Sequence, residues 1–330
     1  MASTKVAVID DWQNAARDLI DWSPLKSRAE IVFFQRHFGP GDENAAADLL
    51  ADFDIILILR ERSRFSETLI ARLPKLKMLS CTGSRAPNVD LEAATKRGIV
   101  CTLTSGGHSP APAAEMALAL LLAAARKIPQ GDAAIRAGRF QEGISPGINL
   151  EHRTLGIVGL GRIGAYMARY GHALGMRVIA WSQNLTAEKA KAAGAELVSK
   201  EQLFSESDAV TIHLVLGPRS RGLIGAADFA RMKQGAIFIN TSRGPIVDEA
   251  ALLAAIREGR IVAALDVFDK EPLPGDNPFR ALPNTVLTPH LGFTTVEGLS
   301  AFYQPALENI LAFLDGRPVN LMNPEVVKRA

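Results

Sequence analysis

TLGIVGLGRIGAYMARYGHALGMRVIAW, residues 154–181, carries the most specific structural pattern in this sequence. An apolar strand leads into three closely spaced glycines, a helix follows, and a second apolar strand ends the stretch. These glycines are Gly159, Gly161 and Gly164. In such a βαβ unit they permit a tight turn, close approach of a pyrophosphate and close packing of helix on strand, in that order. Free N–H groups around Arg162 and Ile163 would hold the phosphates. The pattern predicts a dinucleotide-binding loop, and a glycine-rich turn without a ligand is the alternative.

Short apolar runs alternate with amphipathic stretches on both sides of this motif, which is typical of parallel α/β layers. The first series is KVAVI (5–9), EIVFF (30–34), DIILIL (54–59), KMLSC (77–81) and IVC (99–101). The second series is TLGIVG, RVIAW, AELV, AVTIHL, AIFIN, IVAALDVF and TVLT. Two long helices are predicted around the second series, from Pro110 to Ile128 and over 296–316, the latter kinked or interrupted at Pro305. We therefore predict two Rossmann-like or flavodoxin-like domains with parallel sheets.

The two long helices suggest that the second series is inserted into the first domain. The predicted boundaries give a substrate domain of residues 1–102 and 295–330 around a dinucleotide-binding Rossmann domain of residues 103–294. A chain of 330 residues is long enough for two such domains.

Composition excludes several classes of partner. The 37 basic and 35 acidic residues are mixed along the chain, with a net charge of +2, so no nucleic-acid partner is expected. The longest apolar run, 116–125, is too short to span a membrane, and the N-terminal residues show no signal-peptide pattern. Cys81 and Cys101 end apolar runs and are predicted to be reduced core residues, with a disulfide or metal pair as the lesser alternative. A cytoplasmic protein is expected.

Polar residues follow three strands of the second series, where open α/β sheets bind ligands. Arg243 comes after AIFIN, Glu271 after IVAALDVF and His290 after TVLT. Together they fit hydride transfer between a nicotinamide and a 2-hydroxy or 2-oxo acid. A histidine can exchange the proton on the substrate oxygen. A carboxylate on its other ring nitrogen would orient it, and a guanidinium can bind the substrate carboxylate through two hydrogen bonds.

Each of these residues also has a simpler interpretation. Arg243 and Glu271 could form surface ion pairs, and His290 could cap a loop. Only the three together, downstream of a dinucleotide loop, favour a catalytic site. The remaining histidines are scattered without the spacing of metal ligands, so no metal site is predicted.

The chain resembles the D-isomer-specific 2-hydroxyacid dehydrogenase family over essentially its whole length. The stretches that carry the resemblance are TGSRAPNVDLEAATKRGIVC, PAAEMALALLLAAAR, LGIVGLGRIGAYMA, NTSRGPIVDEAALLAAI, ALDVFDKEPLP and LPNTVLTPHLGFTT. The resemblance implies a homodimer with Arg243 as substrate binder, Glu271 as partner acid and His290 as proton donor and acceptor. It also implies cofactor contacts at His213, Thr241, Ser242 and Asp266, the last near the nicotinamide carboxamide. Backbone amides at Gly83, Ser84 and Arg85 would hold the substrate carboxylate.

The chain departs from the family pattern at two loops. Arg85 stands where a small residue is usual, and it could serve a second anionic group or point to solvent or a second subunit. Val215 replaces the proline that usually follows His213 in H-x-P, so the contacts of that loop with the adenine ribose are left open.

Ser182 occupies the position after RVIAW where an aspartate usually binds both ribose hydroxyls and repels a 2′-phosphate. A serine does neither, and Gln183 beside it can donate hydrogen bonds to a phosphate. We therefore expect NAD(P)H as cofactor, with NADP(H) accepted and its preference over NAD(H) left open.

The expected function is NAD(P)-dependent interconversion of a small 2-oxo acid and its D-2-hydroxy acid, with glyoxylate or hydroxypyruvate as the favoured substrate class. A dinucleotide-sensing binding protein, like the corepressors that resemble this family, is the alternative. A formate dehydrogenase is disfavoured because those enzymes carry glutamine where this chain has Glu271.

Overall fold

The computed structural model describes residues 4–39, 41–104 and 109–329. These residues form twelve strands in two parallel sheets. Five strands lie in a first unit, Met1–Ser109 with Thr295–Ala330, and seven lie in a second unit, Pro110–Thr294. The strands are β1 (Thr4–Val8), β2 (Ala29–Phe33), β3 (Ile55–Ile58), β4 (Met78–Cys81), β5 (Val100–Leu103), β6 (Thr154–Val158), β7 (Arg177–Trp181), β8 (Glu196–Leu197), β9 (Ala209–Ile212), β10 (Ala236–Asn240), β11 (Ile261–Leu265) and β12 (Thr285–Leu287). The predicted α/β class with two parallel sheets is confirmed.

Helices connect the strands in both units. The α-helices are α1 (Ala16–Leu19), α2 (Ser23–Lys26), α3 (Glu43–Leu50), α4 (Glu67–Ala71), α5 (Leu91–Lys96), α6 (Ala111–Arg126), α7 (Ile128–Arg136), α8 (Arg162–Ala173), α9 (Ala187–Ala192), α10 (Lys200–Glu206), α11 (Ala226–Arg231), α12 (Glu249–Arg257) and α13 (Val296–Leu314). Short 3-10 segments cover Gly244–Ile246, Pro278–Ala281 and Pro324–Arg329. Of the helices in the described ranges, none combines the length and the apolar character needed to cross a membrane.

The first sheet has the strand order β2-β1-β3-β4-β5, the order of flavodoxin-like folds. Helices α3, α4 and α5 pack on one face and α13 packs on the other. Because both faces are covered, the strands are nearly continuous in Val, Ile and Leu, and all four residues of β3 are buried. Cys81 and Cys101 are buried free thiols, as predicted, and burial raises the pKa of Cys101 to about 12.

The second sheet has the order β12-β11-β10-β9-β6-β7-β8. Counted from β6, this is the Rossmann order with one further strand at an edge. The chain passes from β6 to β7 on one side and later to β9 on the other, so the order reverses between β6 and β9. Open α/β sheets bind their ligands beyond the carboxyl ends of the strands at such a reversal.

Alternate residues of these strands enter two cores on opposite faces of the second sheet, as strand geometry requires. Val158 and Phe238 pack with Phe204 of α10 in one core. Ile157 packs with Leu121 of α6 in the other. The two cores hold the strands rigidly, and thereby the loops at their ends.

Two helices differ from the sequence-based prediction. The helix expected from Pro110 to Ile128 ends at Arg126, because Lys127 adopts a left-handed conformation (φ 56°), and α7 begins at the next residue. Helix α13 runs uninterrupted from Val296 to Leu314 with Pro305 inside it. The sequence predicted either a kink or an interruption at Pro305, and the helix is not interrupted there.

Candidate active site

The register of the second sheet places five of the eleven predicted cofactor residues on one row. Val158 pairs with Trp181 on one side and Ile212 on the other, so the following residues lie level with each other. The same holds along β10, β11 and β12, where Asn240 pairs with Leu265 and Leu265 with Leu287. The row at the carboxyl edge of the sheet is therefore Ser182, Gly159, His213, Thr241, Asp266 and Thr288.

The glycine loop is shaped for a ligand that approaches the start of α8. Gly159 has φ +99°, and a Cβ there would lie 2.4 Å from the carbonyl oxygen of His213. A Cβ on Gly164 would lie 2.3 Å from the carbonyl oxygen of Gly159, so helix and strand pack too closely for any side chain. In contrast, a Cβ on Gly161 would meet no atom within 4 Å. The open space lies in front of Gly161, where a pyrophosphate would approach.

The start of α8 can supply the hydrogen bonds that such a group needs. Gly161 is the N-cap of the helix and provides no side-chain cap. The first hydrogen bond of the helix runs from the Ala165 N–H to the Gly161 carbonyl. The N–H groups of Arg162, Ile163 and Gly164 therefore have no acceptor inside the helix. This geometry fits the phosphates of a dinucleotide.

Thr241, Ser242 and Arg243 form the turn after β10. The buried amide of Asn240 shapes it, because its Oδ1 accepts from Ser242 N (3.0 Å) and its Nδ2 donates to the Arg243 carbonyl (3.0 Å). Ser242 Oγ donates to the Ile212 carbonyl (2.7 Å). Thr241 Oγ1 is buried and has no hydrogen-bond partner among the described residues. A buried hydroxyl without a partner at this row is available to a bound cofactor.

Gly244 holds this turn against the segment that leads to Glu271. A Cβ on Gly244 would lie 2.1 Å from the Phe268 carbonyl carbon and 2.4 Å from Asp269 N. Arg243 is thereby kept next to that segment, half-buried, with Nη1 donating to the Ser242 carbonyl (2.7 Å). No hydrogen bond or ion pair within the described part of the chain joins Arg243 to Glu271 or His290.

Glu271 and His290 are in direct contact. His290 Nδ1 lies 2.5 Å from Glu271 Oε2, and the two side chains are 27% and 30% exposed. The other carboxylate oxygen, Oε1, accepts from Phe268 N (2.9 Å), which fixes the carboxylate. The imidazole also packs edge-on against Phe293. Its Nε2 makes no hydrogen bond with a described residue, so this nitrogen is free to act on a substrate.

Asp266 is fully buried and binds the loop that carries His290. Its Oδ1 accepts from Thr288 Oγ1 (2.6 Å) and Leu291 N (2.7 Å), and its Oδ2 accepts from Gly292 N (2.8 Å). Burial raises the pKa of Asp266, and these hydrogen bonds oppose the rise. Between Thr288 and Leu291, His290 takes a left-handed conformation (φ 56°). The carboxylate thus holds the backbone of this loop, a contact that the sequence did not indicate.

The remaining cofactor candidates have different surroundings. Ser182 is half-buried and Gln183 is exposed at the end of β7. His213 turns its ring inward, with Nε2 2.9 Å from Thr211 Oγ1 and Nδ1 buried without a described partner. Burial lowers the pKa of His213 to about 3, so the ring is neutral at ordinary pH. What His213 presents to the glycine loop is its main-chain carbonyl, which lies against Gly159.

The predicted substrate loop lies in the first unit, after β4. The Gly83 N–H donates to Thr104 Oγ1 (2.7 Å), so this amide is already engaged. The amides of Ser84 and Arg85 make no hydrogen bond with described residues, and both residues are exposed. Arg60, which sequence reasoning did not select, lies against this loop: a Cβ on Gly83 would be 2.1 Å from its Nη1. Its position two residues after the end of β3, at another strand end, was the available signal.

No group of three or more His, Cys, Asp or Glu side chains in the described ranges is arranged to hold a metal ion. His108, one of the scattered histidines, lies outside the described residues. The groups that the site offers are therefore a histidine–carboxylate pair, a guanidinium and free backbone amides.

Comparisons with known proteins find similar sequences and a similar solved structure. The sequence model described as "D-isomer specific 2-hydroxyacid dehydrogenase, NAD binding domain" matches residues 118–292. A glyoxylate reductase of Aeropyrum pernix is 44% identical over 269 residues, which cover 79% of this chain and 80% of that protein. A solved oxidoreductase structure from Ralstonia solanacearum superposes with a TM-score of 0.91 at 37% identity and covers 98% of both chains.

The relatives differ in length. A D-3-phosphoglycerate dehydrogenase of Archaeoglobus fulgidus is 39% identical over 264 residues, which cover 80% of this chain but 50% of that protein. The chain therefore spans about half the length of that relative and four-fifths of the glyoxylate reductase.

Proposed function

The chain belongs to the D-isomer-specific 2-hydroxyacid dehydrogenase family, and we propose that it interconverts a small 2-oxo acid and its D-2-hydroxy acid with NAD(P)(H). The observation that carries the proposal is the Glu271–His290 contact of 2.5 Å, next to the row that also holds the glycine loop. Two further contacts distinguish this pair from an ordinary surface ion pair. The Phe268 N–H fixes the Glu271 carboxylate, and the Asp266 carboxylate accepts from the loop that carries His290.

The second unit is assigned to the cofactor. The free N–H groups at the start of α8 would bind its phosphates, and the buried Thr241 hydroxyl would take one of its polar groups. When bound, the nicotinamide supplies or accepts the hydride at the substrate carbon. Asp266 keeps the His290 loop in place during this exchange. We also assign to its carboxylate a hydrogen bond from the bound cofactor.

The protein side chains handle the substrate and its proton. Arg243 binds the substrate carboxylate and polarises the carbonyl, because a guanidinium is permanently charged and planar. His290 Nε2 gives a proton to the carbonyl oxygen during reduction and removes it during oxidation. Glu271 fixes the ring through Nδ1 and stabilises the imidazolium. From the first unit, the Ser84 and Arg85 amides are assigned to the substrate carboxylate.

The favoured substrates are glyoxylate and hydroxypyruvate. A curated relative that this chain matches over four-fifths of its length is named glyoxylate reductase. The absence of an acid at Ser182 supports acceptance of NADP(H) as well as NAD(H), because nothing in that position repels a 2′-phosphate.

We further propose that the protein forms a homodimer and that it works in a reducing compartment such as the cytoplasm. Ile128, Ile135 and Phe140 are 54%, 60% and 68% exposed on and just after α7, which supports a covered apolar face. The two buried free thiols support the compartment. Phe140→Asp should halve the mass seen by light scattering, and an unchanged dimer mass would move the interface elsewhere.

A substrate screen combined with one variant tests the function. Purified protein is mixed with NADH or NADPH and a panel of 2-oxo acids, and loss of nicotinamide absorbance is followed. His290→Ala should lower kcat by about a thousandfold or more while dinucleotide affinity stays within twofold. His172→Ala, which removes an exposed imidazole at the far end of α8, is the matched control and should keep full activity.

The alternative function has a distinct outcome in the same experiment. Tight dinucleotide binding by the parent protein without turnover of any 2-oxo acid would favour a dinucleotide-sensing binding protein. Full activity of His290→Ala would overturn the role assigned to that histidine.

A further inference from the structure

The loop from Val215 to Arg221 is held in one conformation by its own hydrogen bonds. Ser220 is buried, its Oγ donates to the Val215 carbonyl (2.7 Å), and the same oxygen accepts from Gly217 N (2.9 Å). The N–H groups of Ser220 and Arg221 both donate to the Gly217 carbonyl. Gly222 N then donates to the Pro245 carbonyl. Arg219 is exposed on a fixed turn.

This turn meets the end of β7, where the ribose of the cofactor is expected. Gln183 Nε2 donates to the Arg219 carbonyl (3.3 Å), so Arg219 lies beside the residue that follows Ser182. The two segments in contact, 182–186 and 214–222, contain no aspartate or glutamate and two arginines. The ribose-reading end of the row is therefore cationic, although no arginine directly follows Ser182 in the sequence.

The two arginines of the loop have different roles. Arg221 is close enough to Asp269 for its charge to oppose the rise that burial causes in the pKa of Asp269. The guanidinium of Arg219 makes no hydrogen bond or ion pair with any residue in the described ranges. An exposed guanidinium without a partner, on a rigid turn, can bind an anion without first breaking another contact.

We propose that Arg219, together with Ser182 and Gln183, forms a subsite for the 2′-phosphate of NADP(H). The proposal rests on the dinucleotide binding proposed above and adds the residue that determines the choice between the two cofactors. Ser182 contributes a hydroxyl donor, Gln183 an amide donor and Arg219 the charge. The cation that a 2′-phosphate needs thus comes from the loop after β9 and not from the strand that reads the ribose.

Isothermal titration with two adenine nucleotides tests the subsite. Adenosine 2′,5′-bisphosphate and 5′-AMP differ only in the 2′-phosphate. The parent protein should bind the bisphosphate more tightly. Arg219→Ala should weaken bisphosphate binding by roughly tenfold and leave 5′-AMP within twofold, because only the bisphosphate uses the charge-assisted contact. Arg219→Lys should recover part of the loss.

Arg221→Ala is the matched control, since it removes the same charge from the same loop. It should leave the affinity for both nucleotides within twofold. Any of three results would overturn the subsite. They are an equal loss of bisphosphate affinity in both alanine variants, an unchanged bisphosphate affinity in Arg219→Ala, and an equal loss of 5′-AMP affinity in Arg219→Ala. No 2-oxo acid is present in these titrations, so failure of the proposed catalytic activity would leave their outcome readable.

Discussion

Replacing Asp266 by asparagine should slow the reaction because His290 moves. Binding of the substrate carboxylate by Arg243 should be retained. The carboxylate accepts three hydrogen bonds, two of them from the backbone amides of Leu291 and Gly292. An asparagine has the same shape but only one acceptor oxygen. In either orientation its NH₂ group faces at least one of those N–H groups, which is then left buried without an acceptor.

The size of the effect follows from these contacts. A buried N–H without an acceptor costs about 1–3 kcal/mol. Burial raises the pKa of Asp266, so removing the charge recovers part of this cost. We expect the free energy of unfolding to fall by about 2 kcal/mol. Because His290 is held in a left-handed conformation by this loop, a shift of about 1 Å should lower kcat by roughly 10–100-fold.

The assay is a pair of measurements on Asp266→Asn, steady-state kinetics with a 2-oxo acid and urea unfolding. Thr288→Val is the control, because it removes one donor to Asp266 and leaves both backbone amides bonded. It should cost about 1 kcal/mol of stability and change kcat by a few-fold at most.

The two roles considered for Asp266 give different kinetic results. A positioning role lowers kcat and leaves the KM for the dinucleotide nearly unchanged. A KM for the dinucleotide raised tenfold with kcat preserved would refute the reasoning and return Asp266 to a direct cofactor contact.

Two further predictions concern other charged groups. Burial raises the pKa of Asp10 to about 7, so the folded protein holds this proton more tightly than the unfolded chain, and stability present at low pH is lost as the pH rises through that value. The loss is at most about 4 kcal/mol. Asp10→Asn keeps an acceptor for Ser63 Oγ and tolerates the left-handed φ of 69°, and it should reduce the fall in urea midpoint between pH 4 and pH 8. An unchanged fall would show that Asp10 does not cause it. Arg243→Lys should raise the KM for the 2-oxo acid about tenfold or more, since an ammonium cannot form two parallel hydrogen bonds with a carboxylate, and an unchanged KM would remove Arg243 from the substrate site.

The sheets could be predicted from sequence because strands covered on both faces are apolar throughout and are bounded by turn residues. The row at the carboxyl edge follows from the same pattern, since parallel strands end at one edge whatever their order. Helix boundaries were less accessible. Lys127, the left-handed residue between α6 and α7, is not a glycine, so the only sequence mark of the break is Pro129 in the first turn of α7.

The contacts that refine the site depend on register and could not be predicted. The engagement of the Gly83 amide by Thr104 joins two strands whose alignment the sequence does not specify. The contact between Gln183 and Arg219 joins residues 36 positions apart, and it depends on the turn that Ser220 holds. The sequence indicates which residue types stand at strand ends, whereas the structure shows which of their polar groups already have a hydrogen-bond partner.

The row along the second sheet separates cofactor selection, at the Ser182 end, from proton transfer, at the Thr288 end. From Ser182 to Thr288 there are five inter-strand steps, which correspond to about 24 Å. Direct contacts do not extend over that distance, so a substitution at the Ser182 end can change which nucleotide is accepted without disturbing the proton transfer beside Thr288. The sheet thus works as a spacer that lets cofactor choice and chemistry evolve independently, and redesign of one end should leave the other intact.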